Sequence, residues 1–302
     1  MDNKIRIGTR GSKLALWQAN FAKSVLEKEN VKAEIVIIKS SGDLNQSIPL
    51  YEFGVTGIFT KSLDQALLNN KIDIAVHSLK DVPIEPAKGL KINCVFKRAD
   101  PMDVLVLKND TINFEKKLTI ATSSIRRKCQ WLNKYPHHEI AVLRGNIDSR
   151  LEKINKNDWD GAIFAKAGLD RLSINSNKMI VLDWMIPSAA QGTIGIASRE
   201  EDLELNDLLD KINCKETMHC VNQEREFLQL MGGGCTMPIS SYARINDNKL
   251  IFISNLCSID GKDSISQTEI YNKTDLKAGK KSCEKILSSG GVKIFENLKN
   301  LK

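Results

Sequence analysis

Apolar positions along this chain switch between two periods, and the switching predicts strands and helices in alternation. Residues 5–9, IRIGT, carry apolar side chains at every second position and read as a strand. Ser12 stands where an N-cap would stand, ahead of Leu14, Trp17, Phe21 and Val25 at helical spacing, so an amphipathic helix follows. EIVIIKSS at 34–41 is a β-branched run of the kind that fills a strand buried on both faces of a parallel sheet. After the turn-forming stretch SGDLNQSIP, a helical pattern covers about 58–69 (Ile58, Leu63, Leu67, Leu68), and IDIAVHS at 72–78 gives another buried strand.

A second series begins near 102 and repeats this order: LTIATSS as strand, IRRKCQWLNKY as helix, EIAVLRGN as strand, DSRLEKINK as helix, and GAIFAKAGL as a strand entering a helix. Such alternation predicts parallel sheets with helices on both faces. The strands end in Ser, Thr, Arg and Gly, which puts polar groups where open α/β sheets bind ligands. The last part changes character. PISSYARI, KLIFISNLCSI and SISQTEIYN are strand-like, joined by the turn signals NDNK and DGKD, and the remainder to about 299 reads as helix interrupted at SSGG. The expected architecture is therefore two α/β domains flanking a cleft plus a small α+β C-terminal domain with a three-stranded antiparallel sheet. We expect domain 1 over 1–98 and 196–217, domain 2 over 99–195 and domain 3 over 218–302.

Composition narrows the class. With 302 residues, 42% apolar and 27% charged, and no apolar run approaching a membrane span, the chain is an ordinary globular protein, expected in the cytoplasm. Its seven cysteines are scattered and odd in number, which fits reduced thiols, and no CxxC pair or His-rich cluster suggests a metal. The net charge of +7 would suit nucleic acid, an acidic surface or an anionic small substrate. Only 6% of residues are aromatic, and the arginines sit beside Gly and Ser in TRGS, SSIRR and LRGN rather than alternating with aromatics, which argues against nucleic acid. Within HSLKDVP at 77–83, Ser78, Lys80 and Asp81 stand at a strand end, although Lys80 and Asp81 taken alone could equally be a surface ion pair.

Seven segments in order, IGTRGSKLALWQA, GIFTKSLDQALL, DIAVHSLKDVP, TSSIRRKCQ, LRGNIDSRL, AAQGTIGI and GGGCTMPISSYA, resemble the signature blocks of the porphobilinogen deaminase (hydroxymethylbilane synthase) family and span residues 7 to about 243. The resemblance implies two domains like the halves of a periplasmic binding protein and a third carrying a dipyrromethane cofactor on a thioether to Cys235. It implies that Asp81 is the catalytic carboxylate, stabilising positive charge near pyrrole nitrogen while four porphobilinogen molecules are deaminated, joined head-to-tail and released as hydroxymethylbilane. Because each unit bears an acetate and a propionate, guanidinium groups are the natural partners. By motif, Ser78, Lys80, Asp81, Thr122, Ser124, Arg126, Arg127, Arg144 and Gly145 match cofactor contacts, while Arg10, Ser12, Arg150, Arg171 and Gln191 match substrate contacts. The family also implies a cytoplasmic monomer that needs neither metal, nucleic acid nor membrane.

Two departures stand out. The chain reads GVTG at 54–57 where many members read GGKG, so Thr56 replaces a lysine and one positive contact is lost or supplied elsewhere, Lys61 being the candidate. AAQG replaces VGQG, so Ala190 is expected to stiffen the strand between domains. The rival from another class is a noncatalytic two-lobed binding protein for an anionic solute.

Overall fold

The computed structural model describes residues 4–39, 60–233 and 237–299. In chain order the first elements are β1 (Ile5–Thr9), α1 (Lys13–Lys28), β2 (Ala33–Ile37), α2 (Lys61–Leu68), β3 (Ile74–Ser78) and β4 (Leu90–Val95). Next come β5 (Asp103–Leu107), β6 (Thr119–Ala121), α3 (Ile125–Lys134), β7 (Glu139–Ala141), α4 (Ile147–Lys156), β8 (Gly161–Ala165), α5 (Lys166–Arg171) and β9 (Met179–Leu182). The chain continues with β10 (Ile194–Arg199), α6 (Leu203–Ile212), α7 (Lys215–Leu230), β11 (Ile239–Asn246), β12 (Lys249–Cys257), β13 (Ser264–Asn272), α8 (Ala278–Ile286) and α9 (Val292–Lys299). No helix among the described residues is long and apolar enough to cross a membrane.

Contacts divide the chain into two compact units, one of residues 1–46, 55–99 and 192–218, the other of residues 47–54, 100–191 and 219–302. The first unit holds a five-stranded sheet in the order β2-β1-β3-β10-β4. β2, β1 and β3 run parallel, as alternation predicts, but β10 is antiparallel to both of its neighbours. The expected all-parallel sheet is therefore mixed, because β10 re-enters from a distant part of the chain with no crossover helix to reverse it. β2 is also an edge strand with Ile37 56% exposed, so the β-branched run was not a sign of burial on both faces. β-Branching suits an edge as well as a centre, and sequence alone does not separate them.

Helix α1 corrects the predicted stripe as well. Ser12 caps it, its Oγ accepting from the Ala15 N–H at 3.3 Å, but the buried face is Gln18, Ala19, Ala22 and Leu26. Trp17 and Phe21 stay 37% and 38% exposed and stack on each other. Two alanines bring the helix close to the sheet, and the bulky aromatics shift to its margin, where Phe21 meets Phe96 edge-on.

The second unit contains another five-stranded sheet, ordered β7-β6-β8-β5-β9, and the three-stranded antiparallel sheet β11-β12-β13. The larger sheet repeats the plan of the first: three parallel strands, then one antiparallel strand, β5, followed by an outer one. The small sheet has the three predicted strands, with boundaries within two residues of those expected, and packs through Leu250, Phe252 and Leu256 against Phe227 of α7 and Ile286 and Leu298 of the final helices. The predicted interruption at SSGG is real, with Gly290 at φ 102° between α8 and α9.

Polar contacts tie the small sheet to the rest of its unit. The 258–263 turn lies on α3: Asn133 Nδ2 donates to the Gly261 carbonyl at 2.8 Å, and the Cys129 thiol donates to the Ile259 carbonyl at 3.2 Å. Gly261 has φ 76°, and a Cβ there would sit 2.7 Å from the Cys129 carbonyl oxygen, so a side chain is excluded on both counts. Glu224 of α7, fully buried, accepts from the N–H of Ala190 at 2.6 Å and of Ala243 at 2.7 Å. Ala190 therefore lies not in a strand, as expected, but in a turn at φ 60° held by this carboxylate.

Glu224→Gln replaces one accepting oxygen by a donor that cannot receive either N–H. The expected outcome is a loss of about 2 kcal/mol in chemical denaturation, because one buried N–H is left without an acceptor.

Candidate functional site

Strand β1 ends at Thr9 and β3 at Ser78, so adjacent parallel strands deliver Arg10, Ser12 and Ser78 to one end of the first sheet. The 3-10 turn Leu79–Asp81 follows at once, its start fixed by the Leu79 N–H donating to the Thr193 carbonyl at 2.9 Å. Pro83 lies just beyond it, so the turn does not extend into a helix. Gln18 of α1 donates to the Ser78 hydroxyl at 2.8 Å. A cavity of about 90 Å³ opens here, lined by Arg10, Ser12, Gln18, His77, Ser78 and Asp81 among others. Asp81 is exposed at this point and no ion pair engages it among the described residues, while Lys80 is half-buried beside it. Four sequence-predicted residues, Arg10, Ser12, Ser78 and Asp81, thus share one cavity. Lys61 is the exposed first residue of α2 and does not line it. Motif matching missed His77. Burial pushes its pKa down to about 4, with the charge on Arg10 adding to the effect, so the ring is neutral near pH 7.

In the second unit the predicted residues fall at the corresponding end of the larger sheet. Thr122 follows β6, and Ser124 caps α3, its Oγ accepting from the Arg127 N–H at 3.5 Å. Arg126 and Arg127 occupy the first turn of α3, where the helix dipole disfavours cations. Asp103, fully buried at the start of β5, offsets that. It binds Arg126 at 2.7 Å through Oδ2 and Arg127 at 2.8 Å through Oδ1. Burial alone would raise the Asp103 carboxyl, but Arg126 and Arg127 outweigh it and hold the pKa at about 2. Gln191 Nε2 donates to the same Oδ1 at 2.8 Å and to the Pro101 carbonyl at 2.7 Å, so both its donors are taken within the protein.

Arg144 follows β7 and is only 7% exposed, with an Nε that has no hydrogen-bond partner among the described residues; burial lowers its pKa. Lys153 donates to its carbonyl, and Arg150 Nε donates to the carbonyl of Gly145 at 2.7 Å. Gly145 has φ 114°, which suits glycine at this bend before α4. Arg171 closes α5, its pKa lowered by burial to about 10 despite Asp170. The buried Arg144 Nε, without an acceptor among the described residues, is what an incoming carboxylate would satisfy. Cys235 and Thr56 lie outside the described residues. The other cysteines are free, and burial pushes the thiols of Cys94 and Cys129 up to about 12.

Fold and site together define a mixed α/β protein with basic and hydroxyl groups gathered at strand C-termini, suited to a small anionic ligand. Two family models match the chain: "Porphobilinogen deaminase, dipyromethane cofactor binding domain" over residues 5–207 and "Porphobilinogen deaminase, C-terminal domain" over residues 218–288. Relatives include the porphobilinogen deaminases of Geobacter sulfurreducens, 37% identical with 97% of this chain and 94% of the relative covered, and of Francisella tularensis subsp. novicida, 37% identical with 97% and 99% covered. The chain belongs to the porphobilinogen deaminase family, enzymes of tetrapyrrole biosynthesis. Among solved structures, the periplasmic VFT2 domain of Bordetella pertussis BvgS is similar at TM-score 0.43 and 12% identity, over 69% of this chain and 86% of that one. The probable amino-acid ABC transporter extracellular-binding protein ytmK from Bacillus subtilis is similar at TM-score 0.42 and 16% identity, over 70% and 90%.

The Asp103 carboxyl sits at about 2 in the folded chain and near the usual ~3.9 when unfolded, so its stabilising contribution is present above about pH 4 and is lost as pH falls toward 2. Asp103→Asn should lower stability at pH 7 by roughly 3–5 kcal/mol, since two buried guanidinium groups lose their counter-charge. Urea unfolding between pH 4.5 and 2 should show a smaller acid-induced loss in the variant than in the parent protein.

Proposed function

We propose that the chain is a hydroxymethylbilane synthase with Asp81 as its catalytic carboxylate and Cys235 as the covalent anchor of dipyrromethane. The observation that carries this reading is the cavity shared by Arg10, Ser12, Ser78 and Asp81, which sets an acidic group beside donors for a substrate carboxylate. The donor set fits a primer rich in carboxylates, because the Arg144 Nε is buried with no acceptor among the described residues. When bound, dipyrromethane supplies the free α-position on which the chain of pyrroles is extended.

Arg10 and Ser12 hold a carboxylate side chain of porphobilinogen, and Lys80 and Ser78 serve as cofactor contacts beside them. Ammonia leaves from the aminomethyl carbon with its bonding electron pair, so positive charge develops on the substrate pyrrole. The Asp81 carboxylate stabilises that charge until the methylene carbon is captured by a pyrrole α-carbon acting as nucleophile, and it helps remove the proton which that α-carbon loses once the new C–C bond has formed. After four additions, water takes the place of a pyrrole nucleophile and the product is released by hydrolysis. Arg126 and Arg127 are fixed by Asp103, yet a guanidinium has five N–H groups, and those not spent on Asp103 and on the carbonyls of Ile186 and Ile163 serve ligand carboxylates. Arg144, Arg150 and Arg171 add further positive charge, with Thr122, Ser124 and Gly145 as polar cofactor contacts. Gln191 acts through Asp103, and Lys61 stands in for the lysine replaced by Thr56. Cys235 is assigned as the thioether anchor by the match of its GGGC segment to the family's cofactor-bearing cysteine. The reading retains the three-domain division drawn from the sequence, and a cytoplasmic monomer. Membership of the family leaves the noncatalytic binding protein without support.

Protein incubated with porphobilinogen should release ammonia and yield a product that cyclises to fluorescent uroporphyrin I; neither signal, from protein shown to carry cofactor, refutes the enzyme. Intact mass should exceed the sequence mass by one dipyrromethane, and Cys235→Ser should lose the increment; an unmodified mass in active protein refutes the anchor. Asp81→Ala should keep that increment while turnover falls by at least about a hundredfold.

A further inference from the structure

Arg126 and Arg127 are neighbours on α3, yet they are held unequally. Arg127 makes three bonds, its Nε and Nη2 donating to Asp103 Oδ1 at 3.2 and 2.8 Å and its Nη1 to the Ile163 carbonyl at 2.8 Å. Arg126 makes two, from Nη2 to Asp103 Oδ2 and from Nη1 to the Ile186 carbonyl, both at 2.7 Å. A guanidinium tied at one nitrogen is free to swing, so the direction of Arg126 depends on where the Ile186 carbonyl stands. Ile163 lies inside β8, but Ile186 lies in an irregular stretch ahead of Pro187, and no backbone bond holds it among the described residues. Gln130 holds it instead. One helical turn after Arg126 and 6% exposed, Gln130 accepts from the Ile186 N–H through Oε1 at 2.8 Å and donates to the Ile186 carbonyl through Nε2 at 3.0 Å. Its second N–H goes to Ser240 Oγ of β11 at 2.9 Å. These three bonds fix the amide in one orientation, because turning it over would set its NH2 against the Ile186 N–H.

We propose that Gln130 is a positioning residue for ligand binding: it locks the Ile186 peptide, and the Ile186 carbonyl in turn aims the N–H groups that Arg126 keeps for a carboxylate. This deepens the reading of Arg126 as a cofactor contact and rests on it. Gln130 spends both its donors inside the protein, so it acts through Arg126 and not on the ligand. The four-residue spacing puts both side chains on one face of α3, where a single carbonyl can serve them together. Arg127, braced at three points, owes nothing to Gln130.

A double-mutant cycle on kcat/KM for porphobilinogen, with cofactor-loaded enzyme, tests this. Gln130→Met should lower kcat/KM about tenfold in the parent and in Arg127→Lys, but less than about twofold in Arg126→Lys, where the fork to be aimed is already gone. A packing defect would cost the same in all three backgrounds and overturns the proposal, as does an unchanged rate in the parent. The second measurement needs neither ligand nor turnover. In protein labelled with 15N-arginine, Gln130→Met should move the Arg126 Nε–H signal and leave that of Arg127 in place; an unmoved Arg126 signal, or equal movement of both, overturns the role. The spectrum decides alone if Arg126→Lys carries no cofactor. If Gln130→Met does not fold, Gln130→Glu, which keeps the acceptor and loses the donors, replaces it with the same expected outcomes. A loaded parent enzyme without turnover refutes the proposed function, whereas a shifted Arg126 signal in that protein still supports the link from Gln130 to Arg126.

Discussion

Three ionic groups packed into one dry spot constrain the second unit. Asp103 is completely buried, and it persists there because Arg126, Arg127 and Gln191 all point their donors at it. Removing any one partner would leave charge or hydrogen-bonding capacity unmatched where water cannot compensate. The cluster also joins pieces of chain far apart in sequence: the start of β5, the first turn of α3 and the segment that ends at Gln191. Its balance is one negative against two positive charges, so it is closed as a structure but not neutral. That surplus leaves one net positive charge at this end of the sheet.

The first unit reaches a related end by different means. There the polar groups come from strand ends rather than from a buried ionic knot, and the cavity stays small. Arg10 gives long-range attraction, Ser12 is shared between a helix cap and the cavity, and Asp81 stands on a turn that begins as soon as β3 stops. Exposure of Asp81 beside a cavity, rather than within the core, leaves its carboxylate available to a ligand.

Much of this was legible in the sequence, and the failures have definite causes. The period of apolar residues located most strands and helices, and the small antiparallel sheet was found with its boundaries to within two residues because its turns carry Asn, Asp and Gly at the right offsets. Strand direction was not legible for β10 and β5, since a run of alternating residues looks the same read either way. Helix α1 was placed correctly and rotated wrongly: Trp17 and Phe21 are the most hydrophobic residues of its pattern, yet close approach to the sheet favours alanine. Site residues were reached through whole motifs, which is why Arg126 and Arg127 were singled out and Asp103, a single acid at a strand start, was not. His77 was overlooked for a similar reason, as nothing local distinguishes an unsatisfied imidazole from a satisfied one.

The turn at Gly261 has a consequence for the order in which the protein is made. Its contact with α3 joins residues 130 positions apart, between Cys129 and Ile259. The first unit has all its strands once Met218 has left the ribosome, whereas α3 must wait for the 258–263 turn before its outer flank is covered. A nascent chain thus carries one finished unit and one half-built one through the last part of its synthesis, and the half-built one contains the ionic cluster on which the arginines depend.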